Sequence, residues 1–199
     1  MKRMLGFLSV VTVLLAGGFF LSTSRAATES APYKVVEADG SIEIREYATL
    51  KLAKVSLPSS DPKSKTMDGA FMKLFRFIDG ANESGEKIAM TSPVIMQHGD
   101  QESSMSFVMP KTLDAKETPK PKGEVTLDVL PPSQVIVIRF SGRSDLEKEK
   151  VKRLELEAWA KARQLTTTGG PLIAYYDPPW TPGPLRRNEI LLRLSSPQK

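Results

Sequence analysis

The chain has 199 residues, 40% of them hydrophobic and 26% charged, a composition that suits one globular domain and excludes a disordered chain or a multi-span membrane protein. The formal charge is +5, but Lys2, Arg3 and Arg25 fall in the first 26 residues, and the rest carries 25 basic against 23 acidic side chains, or +2. That near-balance, without a Lys/Arg run interleaved with aromatics, excludes a nucleic-acid surface of the usual electrostatic kind, and zero cysteines exclude disulfides, thiolate catalysis and cysteine metal sites.

A basic head, Met1-Lys2-Arg3, precedes an apolar and small run over residues 4–21, and small residues follow at Ser24 and Ala26. This pattern predicts a signal peptide cleaved after Ala26. The alternative is an uncleaved membrane anchor, for which the run is short and is weakened by Ser9, Thr12, Gly17 and Gly18. The expected organisation is a signal over residues 1–26 and one domain over 27–199, periplasmic or secreted and off the membrane once the signal is removed.

Residues 41–47 alternate apolar and polar, the period of a half-buried strand, and residues 50–57 continue as a second strand whose apolar parity changes between Leu52 and Val55, which predicts a bulge. Over 66–79 the spacing becomes helical, with Met67, Ala70, Phe71, Leu74, Phe75 and Ile78 three and four apart and Gly80 as the stop. Residues 86–97 and 104–109 predict two strands joined through His98-Gly99-Asp100, and a Pro-containing linker follows over 111–123. The order then repeats. Strands are expected at 124–130 and 134–140, the second rich in β-branched residues and suited to burial on both faces.

Ser144-Asp145-Leu146-Glu147 reads as a capping box opening a second helix. Its expected buried stripe is Val151, Leu154, Ala158, Ala162 and Leu165, with Gly169-Gly170 as its stop, and Leu154 and Trp159 are expected to be structural. Strands at 171–177 and 187–194 flank the proline-rich loop 178–184. The fold class is therefore α+β: two ββαββ pseudo-repeats forming a distorted antiparallel eight-stranded barrel flanked by two helices.

Three stretches carry a family likeness: Phe77-Ile78-Asp79-Gly80-Ala81-Asn82, then Lys87-Ile88-Ala89-Met90-Thr91-Ser92-Pro93-Val94, then Tyr176-Asp177-Pro178-Pro179-Trp180 with Arg186-Arg187-Asn188-Glu189-Ile190. Together, over roughly residues 33–194, they resemble the SOUL haem-binding family. The resemblance implies a distorted barrel with two helices, similar to gyrase-inhibitor-like and multidrug-regulator ligand domains, and non-enzymatic binding of haem or another tetrapyrrole. It also implies a cleft beside the first helix and near the loop before the last strand.

On these residues the first helix carries an apolar arc of about 160°, wider than the roughly 100° that packing on one sheet needs. Met67, Phe71, Phe75 and Phe77 would wall a slot there, Trp180 would close it, and Lys73, Arg76, Arg186 and Arg187 would meet the propionates. Glu189 reads as an exposed acid paired with arginines, and by likeness to the multidrug regulators as a contact for a cationic ligand. His98, at a turn, is expected to be solvent-exposed rather than an iron ligand, and the methionines and Tyr47, Tyr175 and Tyr176 to fill the core. Asn82-Glu83-Ser84 has the form of a glycosylation sequon. Two other readings stay open: a pocket for another apolar or cationic small molecule, and a hydrolase or tetrapyrrole-modifying enzyme on the same fold.

Overall fold

The structure, a computed structural model, describes residues 29–58, 63–98, 102–113 and 118–195. The signal-peptide expectation falls on residues outside these, as do Gly99 and Asp100 of the turn expected at His98. In chain order the elements are β1 (Glu29–Ser30), β2 (Tyr33–Asp39), β3 (Ile42–Tyr47), β4 (Leu50–Pro58), α1 (Lys63–Ile78), β5 (Thr91–Ser92), β6 (Val94–Gln97), β7 (Glu102–Val108), β8 (Thr126–Leu130), β9 (Ser133–Ser141), α2 (Leu146–Ala162), β10 (Thr167–Tyr175), a 3-10 turn (Gly183–Leu185) and β11 (Arg187–Leu194). Nine strands form one sheet in the order β2-β3-β9-β11-β10-β6-β7-β4-β8, and β1 pairs separately with β5.

The sheet curls but does not close, which corrects the expectation of an eight-stranded barrel. No ladder joins its edges, β2 and β8. Pro131 and Pro132 follow β8 without N–H groups to extend a ladder, and a register shift at Val35/Glu37 breaks the other edge. Strand β2 itself was not anticipated, because its side chains are largely exposed and lack a clean alternation.

Both helices pack on one face of the sheet. Helix α1 lies on β4 and β7, helix α2 on β9 and β11. The main core joins Ala70, Leu74, Phe77 and Ile78 of α1 and Leu156 and Ala160 of α2 to Ala53, Val55, Met96, Phe107, Ile136, Ile138, Ile190 and Leu192 of the sheet. A second cluster, Ala31, Leu50, Leu52, Ile95 and Val108 with Tyr47, Leu130 and Leu172 against it, covers the opposite face. Alternation along each strand produces this division. It also explains the parity change in β4: Leu50 and Leu52 face one way, Ala53, Val55 and Leu57 the other, all buried, and the ladders to β7 and β8 run without a bulge.

Two residues past the end of α1 stands Gly80 at φ +105°, where a Cβ would come within 3.1 Å of the Gly85 carbonyl oxygen. Asn82 next to it is buried. Its amide nitrogen donates to the carbonyls of Phe77 (3.0 Å) and Glu86 (2.7 Å), and its oxygen accepts from Ser84 Oγ and the Glu86 amide. The sequon asparagine is thus committed to the turn and closed to a glycosyltransferase. The strand expected over 86–97 is confined to β5 and β6, with Ser92–Pro93 a cis peptide between them.

Helix α2 differs from expectation at both ends and on its faces. Asp145, not Ser144, is the N-cap, accepting from the Lys148 amide at 2.9 Å, while Ser144 Oγ donates to Glu149 at 2.8 Å. The helix ends at Ala162, and Gly169-Gly170 belong to a bulge in β10. Its buried residues are Glu149, Leu156 and Ala160, whereas Leu154 is 51% exposed and Val151, Ala158 and Ala162 also face outward. Tyr175 and Ser144 hydrogen-bond Glu149, which lets an acid occupy the buried face outside the expected apolar stripe. Trp159 is half-buried and donates to Asp39 at 2.9 Å. Leu156→Ala should accordingly cost about 2 kcal/mol or more, as cavity-forming changes do, and Leu154→Ala less than about 0.5 kcal/mol. Urea denaturation of the two variants checks the assignment, and equal midpoints would refute it.

Candidate binding cleft

The face turned away from the helices holds an apolar cleft of about 160 Å³, lined by residues of β3, β4, β6, β8, β9, β10 and β11. Tyr47 of β3 and Leu130 of β8 are seven strands apart in the sheet order yet line the same cleft. In a flat sheet they would lie about 33 Å apart, so curling of the sheet creates the site. The walls are Leu50, Ile95, Leu130, Val135, Leu172 and Leu191, and small residues, Ala48, Gly169, Gly170 and Ala174, leave the volume open. At Tyr47, Ala48 and Ser133 the cleft meets a shallow shelf of about 560 Å³ that carries Lys34, Lys111 and Glu46.

A buried polar network closes one end. On β11, Ile190 and Leu192 face the helices, so Glu189, Leu191 and Arg193 face the cleft side. Glu189 is 0% exposed and Arg45 of β3 is 1% exposed, and Arg45 reaches over the intervening β9 to hold both carboxylate oxygens, Nη1–Oε2 at 2.7 Å and Nη2–Oε1 at 3.0 Å. Arg187 donates twice more to Oε1, from Nη2 at 2.7 Å and Nε at 2.9 Å, and Tyr176 Oη donates to Oε2 at 2.9 Å. Tyr33 lies against the Arg45 guanidinium at 4.0 Å and Tyr176 against that of Arg187 at 4.0 Å. Glu43 adds a 2.6 Å contact to Arg45 Nε.

Burial alone would raise the Glu189 carboxyl, but hydrogen bonds from Arg45, the Arg45 charge and then Arg187 outweigh it and hold the group below its ordinary value. Burial and the neighbouring Glu189 charge push the Tyr176 phenol far above the usual phenol range, and burial raises Tyr47 too. Both phenols therefore keep their protons at neutral pH.

The structure does not gather the ten residues that sequence reasoning proposed. Phe77 is buried in the core beneath α1. Phe71 is half-buried, stacked on Phe75 (6.3 Å) and edge-on to Phe107 (5.3 Å), while Phe75 is 38% exposed. Lys73 pairs with Glu124 at 2.7 Å, Arg76 is exposed, and the side chain of Met67 lies outside the described residues. Trp180 is 83% exposed on a loop whose 3-10 turn packs against β9, four strand positions from the β7 that underlies α1. Arg186 is bound to the carbonyls of Thr181 and Pro179 within that loop. Arg187 and Glu189 meet each other but face the cleft network, and Glu189 is sealed rather than exposed as expected, because two guanidinium groups neutralise it. His98 is half-buried rather than fully exposed, its Nε2 3.9 Å from Glu149.

The cleft residues Tyr47, Leu172 and Arg193 were missed. The usable signal was the polar row Glu43, Arg45, Tyr47 alternating with Ile42 and Ile44 in a strand long enough to be covered on both sides.

A family model described as SOUL heme-binding protein matches residues 28–193. The chain belongs to the SOUL heme-binding protein family. Among curated proteins none matches it. Among solved structures, the fold of this SOUL protein is similar to the EcmrR C-terminal domain, at 12% identity and TM-score 0.62 over 82% of this chain and 98% of that one. It is also similar to a conserved protein from Listeria innocua, at 10% identity and TM-score 0.55 over 77% and 92% of the two chains. A hydrolase from Listeria innocua matches at 9% identity and TM-score 0.53 over 80% and 94%. At such identities the likeness concerns the fold alone. SOUL membership suggests a haem or tetrapyrrole ligand and a binding role rather than an enzymatic one.

Proposed function

We propose that this SOUL protein binds a haem-type tetrapyrrole, without chemical change, edge-on in the cleft on the helix-free face. The observation that carries the reading is the cleft itself, apolar on its walls and continuous with a shelf bearing Lys34 and Lys111. At about 160 Å³ it falls below the roughly 300 to 1,000 Å³ of sites that enclose drug-sized ligands. A macrocycle would therefore enter by one edge and extend over the shelf, where the two lysines can meet a propionate that stays outside the cleft.

The residues present fit the macrocycle but not its iron. Among the described residues no His, Cys or Met lines the cleft, and its two phenols are already engaged, Tyr47 Oη accepting from Arg45 and Tyr176 Oη donating to Glu189. His98 shares the parity of Met96 on β6 and so belongs to the helix side with Glu149, opposite Ile95 and Gln97 of the cleft. Metal-free protoporphyrin should therefore bind within about tenfold of haem, a gap of about 1.4 kcal/mol, and His98→Ala should leave the haem spectrum unchanged. Soret-region titration measures both. A hundredfold preference for haem, or loss of the Soret shift in the His98 variant alone, would restore an iron ligand.

A second reading has an observation of its own. The stacked Phe71 and exposed Phe75 form an aromatic edge on α1, which keeps a slot there, with Met67, Lys73 and Arg76, as the alternative seat for the same ligand.

The remaining sequence readings join the proposal. Residues 1–26 direct export and are removed, and 27–199 act as one domain; N-terminal sequencing of the secreted or periplasmic protein should begin at Ala27, and recovery of intact Met1 in a membrane fraction would favour an anchor. No helix among the described residues is long and apolar enough to cross a membrane. The two ββαββ pseudo-repeats find support in the strand order: exchanging β3, β4, β6 and β7 for β8, β9, β10 and β11 reverses the sequence of the eight strands within the sheet.

A further inference from the structure

We propose that the cleft selects an amphipathic anion, an apolar body carrying a carboxylate, and that Arg193 holds the carboxylate. The inference rests on the cleft being the ligand site and names the charge it prefers. Among the described residues no Asp or Glu lines the cleft, and Arg193 is its one charged lining residue. Arg193 is half-buried, and among the described residues its side chain makes no hydrogen bond or ion pair. It stands opposite Thr168 on β10 and Val135 on β9. Beside Thr168 the β10 bulge presents Gly169, where an added Cβ would meet nothing within 4 Å, so a head group has room next to the guanidinium.

The nearby carboxylate cannot serve a cation. Both oxygens of Glu189 are filled by four donations from Arg45 and Arg187 and one from Tyr176. Among the described residues a cationic ligand would find no free carboxylate lining the cleft and would meet the Arg193 charge across an apolar wall, where screening is weak. A carboxylate instead gives that guanidinium the partner it lacks.

Three probes of one shape and different charge test this by calorimetry on the full chain without its signal: naphthalene-2-carboxylate, naphthalen-2-ylmethylammonium and neutral naphthalene-2-carboxamide. The carboxylate should bind at least tenfold tighter than the ammonium, with the carboxamide between them. Arg193→Gln should bring the two ions within about twofold of each other and shift the carboxamide less than the carboxylate, Arg193→Glu should reverse the order, and thermal melts confirm that both variants are folded. Ala48→Trp should weaken all three probes together. Equal binding of the two ions, or a preference for the ammonium, overturns the charge inference, and a carboxylate preference that survives Arg193→Gln overturns the role of Arg193. In either case carboxamide binding that Ala48→Trp blocks leaves the cleft itself standing. Absence of binding by any probe overturns both.

Discussion

Glu189→Gln should destabilise the protein by about 3 to 5 kcal/mol at pH 7, the range for removing one partner of a buried ion pair. The glutamine keeps the shape of the site but leaves Arg45 buried, with Arg187 beside it and Glu43 as the remaining acid in contact. The effect has a pH signature. Because the folded protein holds the Glu189 carboxyl below its ordinary value of 4.5, its contribution is full above that value and disappears as pH falls through the lower, folded one. The gap between wild type and Glu189→Gln should therefore be widest at neutral pH and close on acidification below about pH 4. Denaturant titrations at pH 7 and at acid pH measure it. A gap under 1 kcal/mol at pH 7, or one of constant size down to pH 3, would show that the charge pairing is not what the site contributes.

Periodic features were legible in the sequence. The four-residue spacing of Ala70, Leu74 and Ile78 marked the inner face of α1, and the β-branched run of β9 announced a strand covered on both sides, as Val135, Ile136, Val137 and Ile138 are. Where one pattern serves two environments the reading failed. Helix α2 buries Glu149 beside Leu156 because Tyr175 and Ser144 solvate the acid, and no apolar count can foresee that. Nor could parity in β4 distinguish a bulge from burial on both faces.

The family motifs proved to be mostly architectural. Asn82 ties the turn after α1, Thr91 Oγ1 donates to the Val108 carbonyl at 2.5 Å, and Asp177 accepts from the Arg187 amide at 2.5 Å. They identify the fold and touch the cleft only at its margin, where Pro93 and Tyr176 line it. The cleft is made by curling seven strands together, and its volume is defined by Ala48, Gly169, Gly170 and Ala174, residues whose small size carries no chemical signal in a sequence. Arg45 and Glu189 are 144 positions apart and meet only through the strand order β3-β9-β11.

Ala48→Trp should abolish tetrapyrrole binding while leaving the fold intact. Ala48 is exposed just beyond β3 and lies where the cleft and the shelf join, so an indole there occupies the path a macrocycle edge would take without displacing core side chains. The expected loss is at least a hundredfold in affinity, about 2.7 kcal/mol. Phe75→Asp places a charge on the exposed aromatic edge of α1 and should change affinity less than threefold if the cleft is the site. Protoporphyrin titration of wild type and both variants, with circular dichroism to confirm folding, is the most direct test. Loss of binding in Ala48→Trp with retention in Phe75→Asp is expected of a site in the cleft; retention in Ala48→Trp with loss in Phe75→Asp would refute that site and move it to α1.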